Sequence, residues 1–224
     1  MNKVIVVAPH PDDEIIGCGA TIAKHISEGD EVYIIVATNA SIGAPELFTQ
    51  DQVNSTRNEA LVAHNVLGVT KTFFLDFPAP ALNAHPEYKI SLELSKIFNE
   101  IKPNYLYLPH PGDIHQDHKA LYRSALVAAR PQGTHKISNI YCYETLSETE
   151  WTPMQERPFV PNHFVDVSSV FAKKVQAMEC FASQLKTFPH SRSIETFEAL
   201  AKYRGSTVGV SRAEAFIVER QLIL

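Results

Sequence analysis

The stretch VIVVAPHPDDEIIGCG, residues 4–19, joins an unbroken aliphatic run to a histidine, two adjacent aspartates and a glutamate. A short apolar run closed by a proline suits a strand buried on both faces. The polar cluster behind it then falls beyond the carboxyl end of that strand, where an open α/β sheet presents a ligand. If 4–8 is such a strand, further apolar runs must follow to build a sheet around it.

They do follow. EVYIIVAT (31–38), FFLDF (73–77) and YLYLP (105–109) are continuous in Val, Ile, Leu, Phe and Tyr rather than alternating. Helix-length amphipathic segments lie between them: one reaching about Lys24–Ser27, then RNEALVAHNVLG (57–68), SLELSKIFNEI (91–101) and DHKALYRSALVAAR (117–130). Gly29-Asp30, Gly68 and Pro103 supply stop signals where the periodicity ends. The order βαβαβαβα predicts a doubly wound, mostly parallel, Rossmann-like sheet with helices on both faces. Beyond Ala129, strands are expected at 139–144, 163–169 and 214–220 and helices at 172–185 and 193–205, completing one domain over 1–224. The Pro-rich loop from Trp151 to Pro161 is either a surface excursion or a rim over the site.

At 224 residues and 45% hydrophobic, the chain can bury a full core. The net charge of −5 leaves no excess of Lys and Arg for a phosphate backbone, so a small molecule is expected as partner rather than nucleic acid. Neither a signal-peptide core nor the roughly 20 apolar residues of a membrane span is present, which makes the cytoplasm the expected location. Cys18, Cys142 and Cys180 are odd in number and lack a CxxC pair, against a disulfide framework or a cysteine-based zinc site. No GxGxxG is present, so dinucleotide binding is not supported. Nothing sets an oligomeric state.

Two strand ends concentrate the chemistry. After 4–8 comes His10-Pro11-Asp12-Asp13-Glu14, and after 105–109 comes His110-Pro111-Gly112-Asp113-Ile114-His115-Gln116-Asp117-His118. The topology can bring both loops to one edge of the sheet. Imidazole with carboxylate is a common zinc set, and a catalytic site uses three protein ligands. His10, Asp13 and His118 would supply them, leaving Asp12, Asp113, His115 and Asp117 to move protons or orient ligands. The plainer alternative makes HPDD a turn and cap, and Asp117 the cap of the following helix. Glu14 suits the dipole of a helix start. His110 is either a support of the site or a capping histidine. His190 and Arg192, in FPHSRS, either reach an anionic part of a substrate or form exposed surface. His25, His64, His85, His135 and His163 receive no role.

HPDDE after a hydrophobic first strand, with His115-Gln116-Asp117-His118 as HxDH, resembles the PIG-L/LmbE family of zinc-dependent N-deacetylases. Arg57-Asn58-Glu59-Ala60 resembles the family's RxxEA helix, and Ala213-Glu214-Ala215-Phe216 its AEAF. The resemblance implies an LmbE-like fold and one zinc per chain on His10, Asp13 and His118. It also implies Asp12 as general base, His115 as acid or oxyanion stabiliser, Asp117 polarising His115, and Arg57 and Asp76 near the sugar. The expected reaction is hydrolysis of an N-acetyl group from an N-acetylglucosamine-type amino sugar. A metal-dependent phosphoesterase, often with two metals, and a metal- or sugar-binding module without turnover are the alternatives.

Overall fold

The computed structural model describes residues 1–132, 135–153 and 156–223. Among these, the strands are β1 (Lys3–Ala8), β2 (Glu31–Asn39), β3 (Lys71–Pro78), β4 (Tyr105–Pro109), β5 (Asn139–Tyr143), β6 (His163–Asp166) and β7 (Ala213–Gln221). They form one sheet in the order β3-β2-β1-β4-β5-β7-β6. The first five are parallel, and β7 runs antiparallel to both β5 and β6. The helices are α1 (Asp13–Ser27), α2 (Ala40–Gly43), α3 (Gln50–Leu67), α4 (Glu87–Ile101), α5 (Gln116–Ala128), α6 (Phe171–Glu179) and α7 (Ile194–Ser206).

The run that decided the fold explains the layering. Val4 to Ala8 are all without exposure, and successive side chains point to opposite faces. Ile5 and Val7 pack under α4 and α5, against residues such as Leu94, Phe98 and Leu121. Val4 and Val6 face the other layer, with Ile15 and Ile22 of α1, Ala63 of α3 and Phe181. Burying each such aliphatic side chain is worth about 1.5–3 kcal/mol. A polar residue anywhere from Val4 to Ala8 would therefore face a dry layer.

The sheet order positions the site. From β1 the chain winds out through β2 to β3, then returns to place β4 on the other side of β1, in register Val4↔Tyr105, Ile5↔Leu106 and Val6↔Tyr107. Between these two strands lies the topological switch point, where the loops after each strand diverge and leave a crevice. The His10 and His110 loops leave from those two strand ends.

Helix α4 begins at Glu87 rather than at residue 91 and β6 ends at Asp166 rather than at 169, and three further departures have a local reason. Helix α3 starts at Gln50, seven residues before Arg57, because Thr49 and Gln52 form a capping box: the Gln52 N–H donates to Thr49 Oγ1 at 3.2 Å and the Thr49 N–H to Gln52 Oε1 at 2.8 Å. Helix α6 stops at Glu179 rather than near residue 185. There Glu59 of α3 captures the Ser183 N–H at 3.1 Å and its hydroxyl at 2.5 Å, which draws the chain into turns. The cap of α5 is His115, not Asp117: its Nδ1 accepts the Asp117 N–H. Gly68 ends α3 at φ 92°, a left-handed conformation that suits glycine. No helix among the described residues is long and apolar enough to cross a membrane.

Candidate active site

At the switch point the turn after β1 folds back on itself, with the His10 N–H donating to Asp13 Oδ2 at 3.0 Å. Asp13 opens α1, and His118 sits in the first turn of α5. The donor atoms of His10, Asp13 and His118 lie within 4.8 Å of one another. His10 presents Nδ1 to Asp13 Oδ2 at 3.2 Å and His118 presents Nε2 to the same oxygen at 3.4 Å. On its far side each imidazole meets another carboxylate: His10 Nε2 lies 3.1 Å from Asp117, and His118 Nδ1 lies 2.8 Å from Asp113. Asp113 in turn accepts the Thr149 hydroxyl at 2.6 Å.

This donor set fits a divalent metal. Among the described residues, Asp13 Oδ1 is buried without a hydrogen-bond partner, and buried His118 Nε2 has no closer contact than Asp13 Oδ2 at 3.4 Å, too poorly aligned for a hydrogen bond. An unsatisfied buried polar atom costs about 1–3 kcal/mol, which a cation between them would relieve. A carboxylate behind each histidine is the usual means of fixing a ligating imidazole's tautomer and orientation. Two imidazoles and one carboxylate suit zinc.

Protonation follows the same geometry. Burial pushes His10 and His118 down, but the surrounding carboxylates outweigh it and raise them to about 9 and about 10. Burial pushes Asp13 up, yet His118 and His10 hold it well below the usual carboxylate range. A metal bound there would displace the protons that these carboxylates favour on the imidazoles, so its binding should be coupled to proton release.

Asp12 precedes α1 at φ 127°, ψ −31°, a conformation costly to a residue with a Cβ and of the kind that clusters at functional sites. It is almost fully buried. Arg192 Nη1 donates to Asp12 Oδ2 at 2.7 Å, while the same guanidinium donates to Gln184 Oε1 at 3.1 Å and Ser147 Oγ at 2.8 Å. Burial raises Asp12 to about 7, with Arg192 opposing the shift. His115 is lowered to about 4, by burial first and then by His10.

These groups open on a cleft of about 280 Å³, a little below the roughly 300–1,000 Å³ usual for small-molecule sites. Its polar side carries His10, Asp12, His115 and Arg192, and its apolar side includes Phe48, Val53 and Pro80. Glu148, Gln184, Phe48 and Gln52 also line it, and sequence reasoning missed all four. The first two come from turns with no spacing signal, Gln52 from the early start of α3 and Phe48 from the segment just before its Thr49 cap.

Asp117 differs from expectation. Its carboxylate meets His10 and accepts the Leu82 N–H at 3.0 Å, whereas His115 Nδ1 stands 4.0 Å away. Polarisation of His115 by that carboxylate is therefore replaced by the backbone: the Asp117 N–H donates to His115 Nδ1 at 3.1 Å. Arg57 and Asp76 pair with each other at 2.6 Å beside the cleft wall, and Asp76 also accepts from Asn39. Neither is among the lining residues. His190 is exposed and fixes Arg192 by accepting its N–H at 3.0 Å. His110 anchors the 151–161 loop, its Nε2 donating to the Arg157 carbonyl at 2.8 Å, and Phe159 stands edge-on to its ring. Residues 154 and 155 of that loop lie outside the described residues.

A Rossmann-like sheet with a His, Asp, His cluster and a buried aspartate at its switch point defines an α/β protein with a candidate metal centre. More particularly, residues 5–129 match the PIG-L family, described as GlcNAc-PI de-N-acetylase, and the chain belongs to that family. It is 29% identical over 181 residues to the uncharacterized deacetylase YaiS of Escherichia coli K12, covering 79% of this chain and 88% of that one. It is 24% identical to the diacetylchitobiose deacetylase of Thermococcus kodakarensis, covering 96% and 82%. Among solved structures, the 4-carboxy-2-hydroxymuconate hydratase GalB of Pseudomonas putida KT2440 superposes with a TM-score of 0.80 at 21% identity, covering 100% of this chain and 98% of that one. The fold thus carries both deacetylases and a hydratase.

Proposed function

We propose that this protein is a zinc-dependent N-deacetylase that releases acetate from an N-acetylglucosamine-type amino sugar, with the whole chain acting as one catalytic domain. The observation that carries the reading is the pair of buried atoms Asp13 Oδ1 and His118 Nε2, without a hydrogen bond among the described residues, next to a buried aspartate that lines the cleft. His10, Asp13 and His118 would hold one zinc. When bound, the metal supplies Lewis acidity that makes water a nucleophile near neutral pH and polarises a carbonyl.

The remaining chemistry belongs to side chains. Asp12 accepts a proton from the attacking water, and Arg192 keeps its carboxylate aimed. His115 acts as a neutral donor: its Nδ1 is already an acceptor, so Nε2 carries the hydrogen and can stabilise charge developing on the amide oxygen. The C–N bond then breaks, Asp12 passes its proton to the departing amine, and acetate and a free amino sugar result. Asp117 orients His10 rather than His115. The GalB likeness supports one alternative outcome, addition of water to a double bond by the same base.

Metal analysis of the purified protein, paired with acetate release from N-acetylglucosamine and diacetylchitobiose derivatives before and after chelation, tests the proposal. About one zinc per chain and chelator-sensitive acetate are expected. Bound metal with no acetate from any derivative would move the weight to hydration, phosphoester cleavage or binding alone.

A further inference from the structure

Glu14 is wholly buried, and a buried carboxyl group needs partners for both oxygens. Its Oε2 accepts the backbone N–H of Asp12 at 3.2 Å. Its Oε1 lies 2.9 Å from Nε2 of His64 on α3, itself almost fully buried. His64 Nδ1 meets the Thr72 hydroxyl of β3 at 2.9 Å. A continuous chain of hydrogen bonds therefore runs from the backbone of Asp12 to β3 at the edge of the sheet.

What that chain holds is the strained residue. A non-glycine residue at φ 127° persists only when its surroundings over-determine it. The Asp12 carbonyl accepts from the Ile15 and Ile16 N–H groups at 3.0 and 2.9 Å, and its carboxylate is taken by Arg192. Among the described residues, its N–H is held by Glu14 alone. We infer that Glu14, braced by His64 and Thr72, is a positioning residue that fixes the Asp12 backbone and ties it to α3, whose Val53 and Thr56 form part of the cleft wall. The inference rests on the proposed role of Asp12 as base.

The test uses the full-length, metal-loaded protein and the variants His64→Leu, His64→Gln and Thr72→Val. The readouts are metal per chain, kcat and KM on the best N-acetylglucosamine derivative, and hydrogen exchange of the Asp12 amide by NMR. In His64→Leu, metal content and KM should hold while kcat falls about 10- to 100-fold, the scale of a small misplacement of a catalytic group. The Asp12 amide should exchange at least about tenfold faster, with the amides in the middle of α1 unchanged. His64→Gln, whose amide nitrogen can still donate to Glu14, should recover most of both effects, and Thr72→Val should show a weaker loss.

Unchanged Asp12 exchange in His64→Leu would overturn the inference. So would equal loss in the Leu and Gln variants, or a loss of metal and kcat together with general acceleration across α1 and α3, which marks a purely structural pair. If His64→Leu does not fold, Thr72→Val against His64→Gln decides on the same readouts. If the wild type releases no acetate from any derivative, the deacetylase reading fails. The exchange data alone then judge the brace, kept by Asp12-specific acceleration and rejected by a uniform one.

Discussion

Replacing Asp12 with Asn separates the proton-moving carboxylate from the ligand beside it. The substitution keeps the shape: an amide oxygen can still accept from Arg192, and the backbone bonds to Glu14, Ile15 and Ile16 do not involve the side chain. What disappears is the ability to take a proton. A positioned general base contributes about 10²- to 10⁴-fold, or about 2.7–5.5 kcal/mol in the barrier at about 1.36 kcal/mol per tenfold. Asp13→Ala should behave otherwise. Asp13 Oδ2 holds the His10 N–H at 3.0 Å and faces both imidazoles at 3.2 and 3.4 Å, so its loss removes a ligand and leaves two histidines without their shared counter-charge. The assay is metal per chain by elemental analysis alongside acetate release. Asp12→Asn should keep its metal and its KM while kcat drops within the stated range, and Asp13→Ala should lose both metal and turnover. A folded Asp12→Asn enzyme with near-normal kcat, or an Asp13→Ala protein still holding stoichiometric metal, would refute the division of labour.

Arg192→Leu should retain metal but lower kcat by about 10²-fold, because the Asp12 carboxylate loses its aiming donor; steady-state kinetics beside metal analysis checks this. Lys174→Met should be a stability mutant. Lys174 and Glu214 pair at 2.6 Å, both almost buried, and Lys174 also donates to the Ile16 carbonyl. Its loss leaves the buried Glu214 carboxylate facing the Ala20 and Thr21 N–H groups, at 3.1 and 2.6 Å, without its counter-charge, and should cost about 3–5 kcal/mol, a Tm loss of roughly 6–20 °C for a chain of this size by calorimetry. Asp30→Asn should reveal a pH-dependent contribution. Burial pushes Asp30 up, but hydrogen bonds from Asn2 and His25 outweigh it and hold the carboxyl below the usual range. A depressed folded-state pKa stabilises above the unfolded value of about 3.9 and is lost as pH falls through the folded one, so the Tm gap between wild type and variant should be full near pH 7 and close below about pH 4. A gap that widens on acidification would contradict the assignment.

The parts of this protein that are legible in its sequence are those whose physics is local. A parallel strand covered on both faces must be apolar at every position, and VIVVA is. A loop at such a strand's carboxyl end can be located without knowing the rest of the chain, and that placed His10, Asp13 and His118 together. Contacts made across the chain left no such trace. Arg192 reaches Asp12 from 180 residues away, its neighbour Gln184 arrives on the turn where Glu59 seizes Ser183, and Ser147 arrives on a separate turn whose N–H is held by Glu150. Glu14 read as a dipole residue because its burial depends on His64, which had no partner nearby in sequence.

The exchange at His115 and Asp117 shows a subtler limit. Spacing puts the two residues in the same place whether the carboxylate or the backbone amide of Asp117 meets the imidazole. The two arrangements differ in proton position, and so in chemistry. A carboxylate on Nδ1 would favour an imidazolium that can act as an acid. A backbone N–H on Nδ1 forces the acceptor form there and leaves His115 as a neutral donor at Nε2, consistent with its depressed basicity. His115 being a helix cap as well as a site residue is what decides between them. The sequence offered Asp117 as the cap, whereas the loop is capped by His115, whose ring also lines the cleft. The cap hydrogen bond fixes the tautomer that the chemistry would use.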